Sequence, residues 1–173
     1  MKLNLKERVI ISNQLKILEK LYPDEADYLA QQRKAIENGY ALHYGLIAEH
    51  FYDEMTEEEC KEVLDILDMY RSIIYSYRDL KDKSEIDEKQ IQFPGFDGNI
   101  ESKQLSYTNY YIIDLGRYDE IRDGMEFPDF NSHYPMLETY RKMLEKWKIW
   151  KTRSTILTGL TLTQNQIKEL LEK

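Results

Sequence analysis

The sequence predicts an all-α, multihelical protein, and three observations carry that prediction. Apolar residues recur at helical spacing through most of the chain. Two capping boxes, Thr56 with Glu59 and Thr163 with Gln166, each open such a segment. Glycine and proline are scarce, seven and four in 173 residues, which disfavours a turn-rich β sandwich. The length fits a single domain spanning 1–173, with about six to seven helices around a long central one at 57–80.

Leu5–Leu21 carries Val9, Ile10, Ile11, Leu15, Ile17, Leu18 and Leu21, a broad apolar stripe at helical period. The helix stops at Tyr22-Pro23, because a proline pushes the residue before it out of helical geometry. Pro23-Asp24-Glu25 opens a second helix, with proline and acids where a helix start favours them. Gly39 ends it after Asn38. A third helix is expected over 40–52, weakened by Gly45. The Thr56 box opens the longest helix, with Val63, Ile66, Leu67, Tyr70, Ile73, Ile74 and Tyr77 on one wide face. A helix apolar over so wide an arc belongs at the centre of the core.

Residues 81–89 form a polar connection, and Ile91-Gln92-Phe93 a brief extended piece. Phe93-Pro94-Gly95-Phe96-Asp97-Gly98-Asn99 cannot be helix interior, since it packs a proline, two glycines and an Asp-Gly pair into one short stretch. Its phenylalanines anchor the turn to the core, so a structural role is expected. Asn99 then caps a helix over 100–115, with Leu105, Tyr110, Tyr111 and Ile112 inward and Gly116 at its end. Asp123-Gly124 and Phe127-Pro128 mark a loop to Pro135. A helix over 136–151 uses Met136, Leu137, Tyr140, Leu144, Trp147 and Ile149 as its apolar positions. A threonine-rich, extended stretch over 151–162 leads to a final helix, Gln164–Leu171.

The net charge is −8 and the pI about 5.0. Broad nucleic-acid binding needs a positive field, so this composition argues against it. The charge is uneven: residues 49–68 hold nine acids and one lysine, net −8, and residues 141–153 hold six bases and one glutamate, net +5. Either these are two solvated faces of opposite sign, or they meet within a subunit or across an oligomer. Tyrosine is abundant, 14 copies against five phenylalanines, which suits half-buried positions. Cys60 is the only cysteine, which fits a reducing cytoplasm. It is expected to be a buried structural thiol. No apolar run reaches the roughly 18 residues a membrane span needs, and the N-terminus is not a secretory signal.

Catalytic and cofactor templates are missing. There is no HExxH, CxxC or Glu-x-x-His, no Walker A lysine, no GxGxxG and no GxSxG. His43 and His50, seven apart, are read as surface residues rather than metal ligands. Asp97-Gly98-Asn99-Ile100-Glu101 resembles the start of a calcium loop, but the position of its bidentate glutamate is Thr108. No cofactor and no metal are expected. Two polar groups stand out: Ser12-Asn13-Gln14 interrupts the first apolar stripe, and Arg117-Tyr118 places a guanidinium beside an aromatic at a helix end. Arg117 either caps carbonyls or pairs with a carboxylate, or it binds an anion.

Arg8-Val9-Ile10-Ile11-Ser12-Asn13-Gln14, Gly39-Tyr40, Asp65-Ile66-Leu67-Asp68-Met69-Tyr70, the Gly95-Phe96-Asp97 turn, Gly116-Arg117-Tyr118 and the helix from Tyr140 to Trp147 resemble, in order and spacing, the YfbU family. The resemblance runs from about Glu7 to the last helix and is least at 119–135 and 148–161. It implies a bacterial or archaeal, all-helical protein with no assigned activity or catalytic residues. Related domains beside a helix-turn-helix domain imply a ligand-binding role.

These readings converge on a cytoplasmic, non-catalytic ligand-binding or regulatory module that forms a homo-oligomer, dimer or higher, and takes a small-molecule ligand. Candidate ligand-binding residues are Asn13, Gln14, Tyr70, Phe96, Asp97, Arg117 and Tyr118. Two alternatives compete with it: a hydrolase using paired carboxylates, and weak nucleic-acid binding through residues 141–153 with Trp147 and Trp150.

Overall fold

The computed structural model describes residues 1–123, 128–153 and 161–172. The protein is all-α, and its described residues form no strand. By internal contacts the chain divides into two compact units, Met1–Glu54 and Met55–Lys173.

In the first unit, α1 (Leu5–Leu21) begins with a capping box. Glu7 donates its amide to Asn4 Oδ1 at 3.1 Å and accepts from the Asn4 amide at 2.8 Å. Proline 23 starts a single 3₁₀ turn, Pro23–Glu25, and α2 (Ala26–Asn38) follows it. Gly39 ends α2 at φ 74°, in the left-handed region that glycine occupies without strain. Arg8 covers the end of α2, its guanidinium donating to the carbonyls of Ile36 and Glu37 at 2.8 Å each. The expected third α-helix is instead a 3₁₀ run, Ala41–Ala48. Gly45 lowers the α preference, and the left-handed Gly39 redirects the chain just before the run.

The core of this unit is small: Leu15, Leu29, Ile36 and Tyr44. Only the Leu15 side of α1 meets it, with Ile11 and Leu18 half-buried alongside. Val9, Ile10, Ile17 and Leu21, expected in the same inward stripe, are exposed.

In the second unit, α3 (Glu57–Asp79) is the central helix, as its pattern required. Thr56 and Glu59 cap it reciprocally at 3.1 and 2.7 Å. Val63, Ile66, Leu67, Met69, Tyr70 and Ile73 are buried along it. Around it lie α4 (Ser102–Asn109), α5 (Asp119–Arg122), α6 (Leu137–Arg153) and α7 (Gln164–Leu171). The helix expected over 100–115 starts later and changes type, since a π-helical turn, Tyr110–Asp114, continues α4. Along α6, Tyr140, Leu144 and Trp147 are buried as expected, but Ile149 is exposed. The loop residues 124–127 and most of the threonine-rich stretch, 154–160, lie outside the described residues.

The opposed charge segments meet within the subunit. Glu62, Asp65 and Asp68 of α3 pair in order with Arg141, Lys148 and Lys151 of α6. The Glu62–Arg141 pair is bidentate, at 2.8 and 3.0 Å. These groups are partly exposed, so each pair is worth at most about 1 kcal/mol. Their stronger effect is on register, because the ladder matches only when α3 and α6 run side by side in the same direction.

The 93–99 turn is pinned from several sides. Phe96 is fully buried, and Phe93 nearly so. Their rings pack with Tyr70, Phe130 and Tyr140 at centroid distances of 5.1 to 6.0 Å. The Phe96 amide donates to Phe130 O at 2.9 Å, and Phe96 O accepts from the Ser132 amide at 3.1 Å. Tyr140 donates its hydroxyl to Gly95 O at 2.7 Å. Asp97 accepts the amides of Asn99 and Ile100, so it, rather than Asn99, shapes the entry to α4. Buried Glu101 accepts the amides of Asp97, Met136 and Leu137 and thereby caps the start of α6.

Candidate functional site

A chain of polar contacts lies where α5 packs on α3 in the second unit. Tyr118 sits at φ 57°, an unusual conformation for a bulky residue. This conformation turns the chain into α5 and directs the phenol at α3. Its hydroxyl donates to Asp68 Oδ1 at 2.6 Å. The Arg71 guanidinium lies over its ring, 3.8 Å from the centroid. Arg71 also pairs with Glu120, two residues after the aromatic it covers. The result is a chain of contacts, Asp68 to Tyr118 to Arg71 to Glu120.

Beyond Glu120 this chain opens into a cleft of about 290 Å³. Its lining carries both signs of charge: the cations Arg78 and Lys83, and the acids Glu88, Glu120 and Asp123. Ile74, Tyr77 and Ile121 supply its apolar part. Arg78 pairs with Asp123 at 2.7 Å, and the Lys83 ammonium stands 5.0 Å from the Tyr77 ring centre. Nothing local in the sequence marked Arg78 or Lys83. The Asp119-Glu120 pair, two acids in the first turn of a short helix, is the signal that α5 left in the sequence.

The sequence candidates fall in different places. Tyr118 is buried at the α3–α5 crossing, and Arg117 beside it is exposed, with no hydrogen bond or ion pair from its side chain among the described residues. Tyr70 lies in the core with its ring edge-on to Phe93 and Tyr140. Phe96 and Asp97 are buried in the 93–99 turn. Asn13 and Gln14 are exposed on α1. Asn13 borders a surface groove of about 260 Å³ with Arg8, Ser12, Lys16 and Glu37. Several polar groups of that groove are already paired: Ser12 donates to Glu37 at 2.8 Å, Lys16 pairs with Glu37 at 3.2 Å, and Arg8 donates to the Ile36 and Glu37 carbonyls.

The histidines do not share an α-helical face, because His43 lies in the 3₁₀ run and His50 beyond its end. Among the described residues, no group of three or more His, Cys, Asp or Glu is arranged to hold a metal. Among the described residues, the carboxylates of Asp97 and Glu101 are buried, and they accept backbone amides at helix starts. Cys60 is half-buried, its thiol 4.0 Å from Met55 O. No described helix is long and apolar enough to cross a membrane.

Tyr70, Tyr118 and Tyr140 are all held above the ordinary tyrosine range, in each case chiefly by burial. For Tyr118 the hydrogen bond to Asp68 adds to the shift, since a neighbouring carboxylate disfavours phenolate. In the unfolded chain these phenols ionise near pH 10. Their contribution to stability is therefore complete below about pH 10 and is lost as the pH rises above it. In a spectrophotometric titration, these three should ionise only with unfolding. One reversible ionisation step near pH 10 with the fold intact would contradict this.

The sequence pattern described as the YfbU domain matches residues 1–172 of the chain. It runs through both compact units and so takes in every feature above.

Proposed function

The chain belongs to the YfbU family, and from that premise we propose that it is a cytoplasmic, non-catalytic module that binds a small polar ligand and works as an assembly of copies, with residues 1–173 acting as one functional domain. The cleft beyond Glu120 is the observation that supports this reading. Its volume stands near the lower end of the range for small-molecule sites. Its mixed cations and anions suit a compact molecule carrying both a carboxylate and an amine. Arg78 and Lys83 would hold the anionic end, and Glu88 and Glu120 the cationic end. Tyr118 and Arg71 are positioning residues that hold Glu120 in place. Exposed Arg117 offers a second contact for an anion at the same turn.

The two alternatives find less support. The buried carboxylates are committed to backbone amides, and three cations of α6 are committed to α3.

The test is thermal denaturation against a panel of amino acids and small carboxylates. A ligand at about 100 times its Kd adds about 2.7 kcal/mol, which for this length is a rise of roughly 5–10 °C. The double variant Arg78→Ala/Lys83→Ala removes two exposed cations at small cost to the fold and should abolish that rise. A panel without any stabilising compound, or a rise that survives in the variant, overturns the cleft reading.

A further inference from the structure

We propose that the exposed face of α1 binds residues 46–54 of a second copy of this chain. The proposal rests on the reading that the protein works as an assembly, and it is independent of the cleft. Its first observation is a face of α1 whose apolar side chains stay exposed among the described residues. Ile10, Ile17 and Leu21 are 57%, 59% and 64% exposed. With Gln14 they follow i, i+4, i+7, i+11 spacing, so they form one continuous stripe. Lys6, Asn13 and Lys20, seven apart, form the adjoining stripe. Lys6 and Lys20 are exposed and make no ion pair among the described residues. The unit's own core uses the other side of α1, around Leu15.

The second observation is a segment of complementary chemistry in the same unit. Phe51 and Tyr52 are 80% and 95% exposed, far more than aromatic side chains of that size usually are. They stand between acids, Glu49 before them and Asp53 and Glu54 after them. An aliphatic stripe edged by lysines is thus matched by an aromatic pair edged by carboxylates. Apolar burial would supply the affinity, and the opposite charges the register. Because each copy carries both patches, a two-fold arrangement makes the contact twice and closes the pair.

The experiment uses the full chain in sedimentation velocity from 5 to about 200 μM, with protein–protein dissociation constants in the micromolar range readable there. The wild type should sediment as a dimer. Ile10→Glu/Ile17→Glu and Phe51→Ser/Tyr52→Ser alter only exposed side chains, and each should be monomeric with unchanged circular dichroism. In an equal mixture of ¹⁴N- and ¹⁵N-labelled wild type, a zero-length carboxylate–amine cross-linker should join Lys6 or Lys20 of one label to Glu49, Asp53 or Glu54 of the other. A monomeric wild type overturns both the assembly and this surface. A dimer that persists in both variants, or whose mixed-label links avoid these residues, overturns this surface while the assembly stands. In every case the ligand-induced rise reports separately on the cleft.

Discussion

Gly95→Ala should cost at least about 3 kcal/mol and give a protein that is largely unfolded or strongly destabilised. Two effects add at this position. Gly95 has φ 91°, where any side chain is strained by about 1–2 kcal/mol. A Cβ there would also lie 1.8 Å from Phe130 O and 2.3 Å from Phe130 C. Those are backbone atoms, so relief requires the 93–99 turn to separate from the 130–132 segment. Separation breaks the Phe96–Phe130 and Ser132–Phe96 hydrogen bonds and loosens the aromatic cluster around Phe93 and Tyr140. Gly98→Ala is the control. A Cβ at Gly98 meets the Asn131 side-chain amide at 2.9 Å, and a side chain can move away. Its cost should be about 1 kcal/mol, the value of the Asn131 bond to the Gly98 amide. Urea midpoints of the two variants make the comparison, and equal midpoints would refute the close approach at Gly95.

Glu101→Ala should destabilise by about 3–5 kcal/mol, although it removes a single acid. The Glu101 carboxylate accepts from Asp97 N at 2.9 Å, Met136 N at 2.9 Å and Leu137 N at 2.7 Å. It is 6% exposed, so water would reach those amides poorly once it is gone. Each buried amide left without a partner costs about 1–3 kcal/mol, and a negative charge at the start of α6 is lost as well. Glu101→Gln should lose about half as much, because one acceptor oxygen remains while its NH₂ opposes amides that also donate. Hydrogen exchange at Met136 and Leu137 should quicken in the alanine variant. A midpoint within 1 kcal/mol of wild type, with those amides still protected, would show that another group caps α6.

Local signals were reliable wherever neighbouring residues decide the outcome. The Thr56 and Thr163 boxes both form, Gly39 ends α2, and α3 occupies the centre of its unit. The Asn4 box was equally local but was masked by the apolar residues around it. The misread elements share a cause. Residues 40–52 carry an apolar pattern that fits an α-helix, yet Gly39 and Gly45 leave the backbone to tertiary forces, and a 3₁₀ run results. The helix expected over 100–115 begins only at Ser102 because Asp97 takes the Asn99 and Ile100 amides, and its π turn has no sequence marker.

The candidate site was legible only in part. Tyr118 was visible as an aromatic beside an arginine at a helix end. Its partners were not, because Asp68 and Arg71 lie on α3, about 50 residues earlier. Glu101 looked like part of an Asp-Gly loop, and its real task is to cap a helix that begins 36 residues later.

The sequence by itself determined what periodicity and short-range hydrogen bonds control: an all-α chain, the ends of most helices, the buried face of α3 and the family. Tertiary structure alone decided which long-range groups meet. It paired the acids of α3 with the bases of α6, joined Gly95 to the Phe130 backbone, placed Glu120 beside a cleft, and left half of the α1 stripe uncovered. The physical reason is range. Helix propensity and capping act within about four residues, whereas a salt-bridge ladder, a close backbone approach or an exposed apolar face exists only once distant segments have packed.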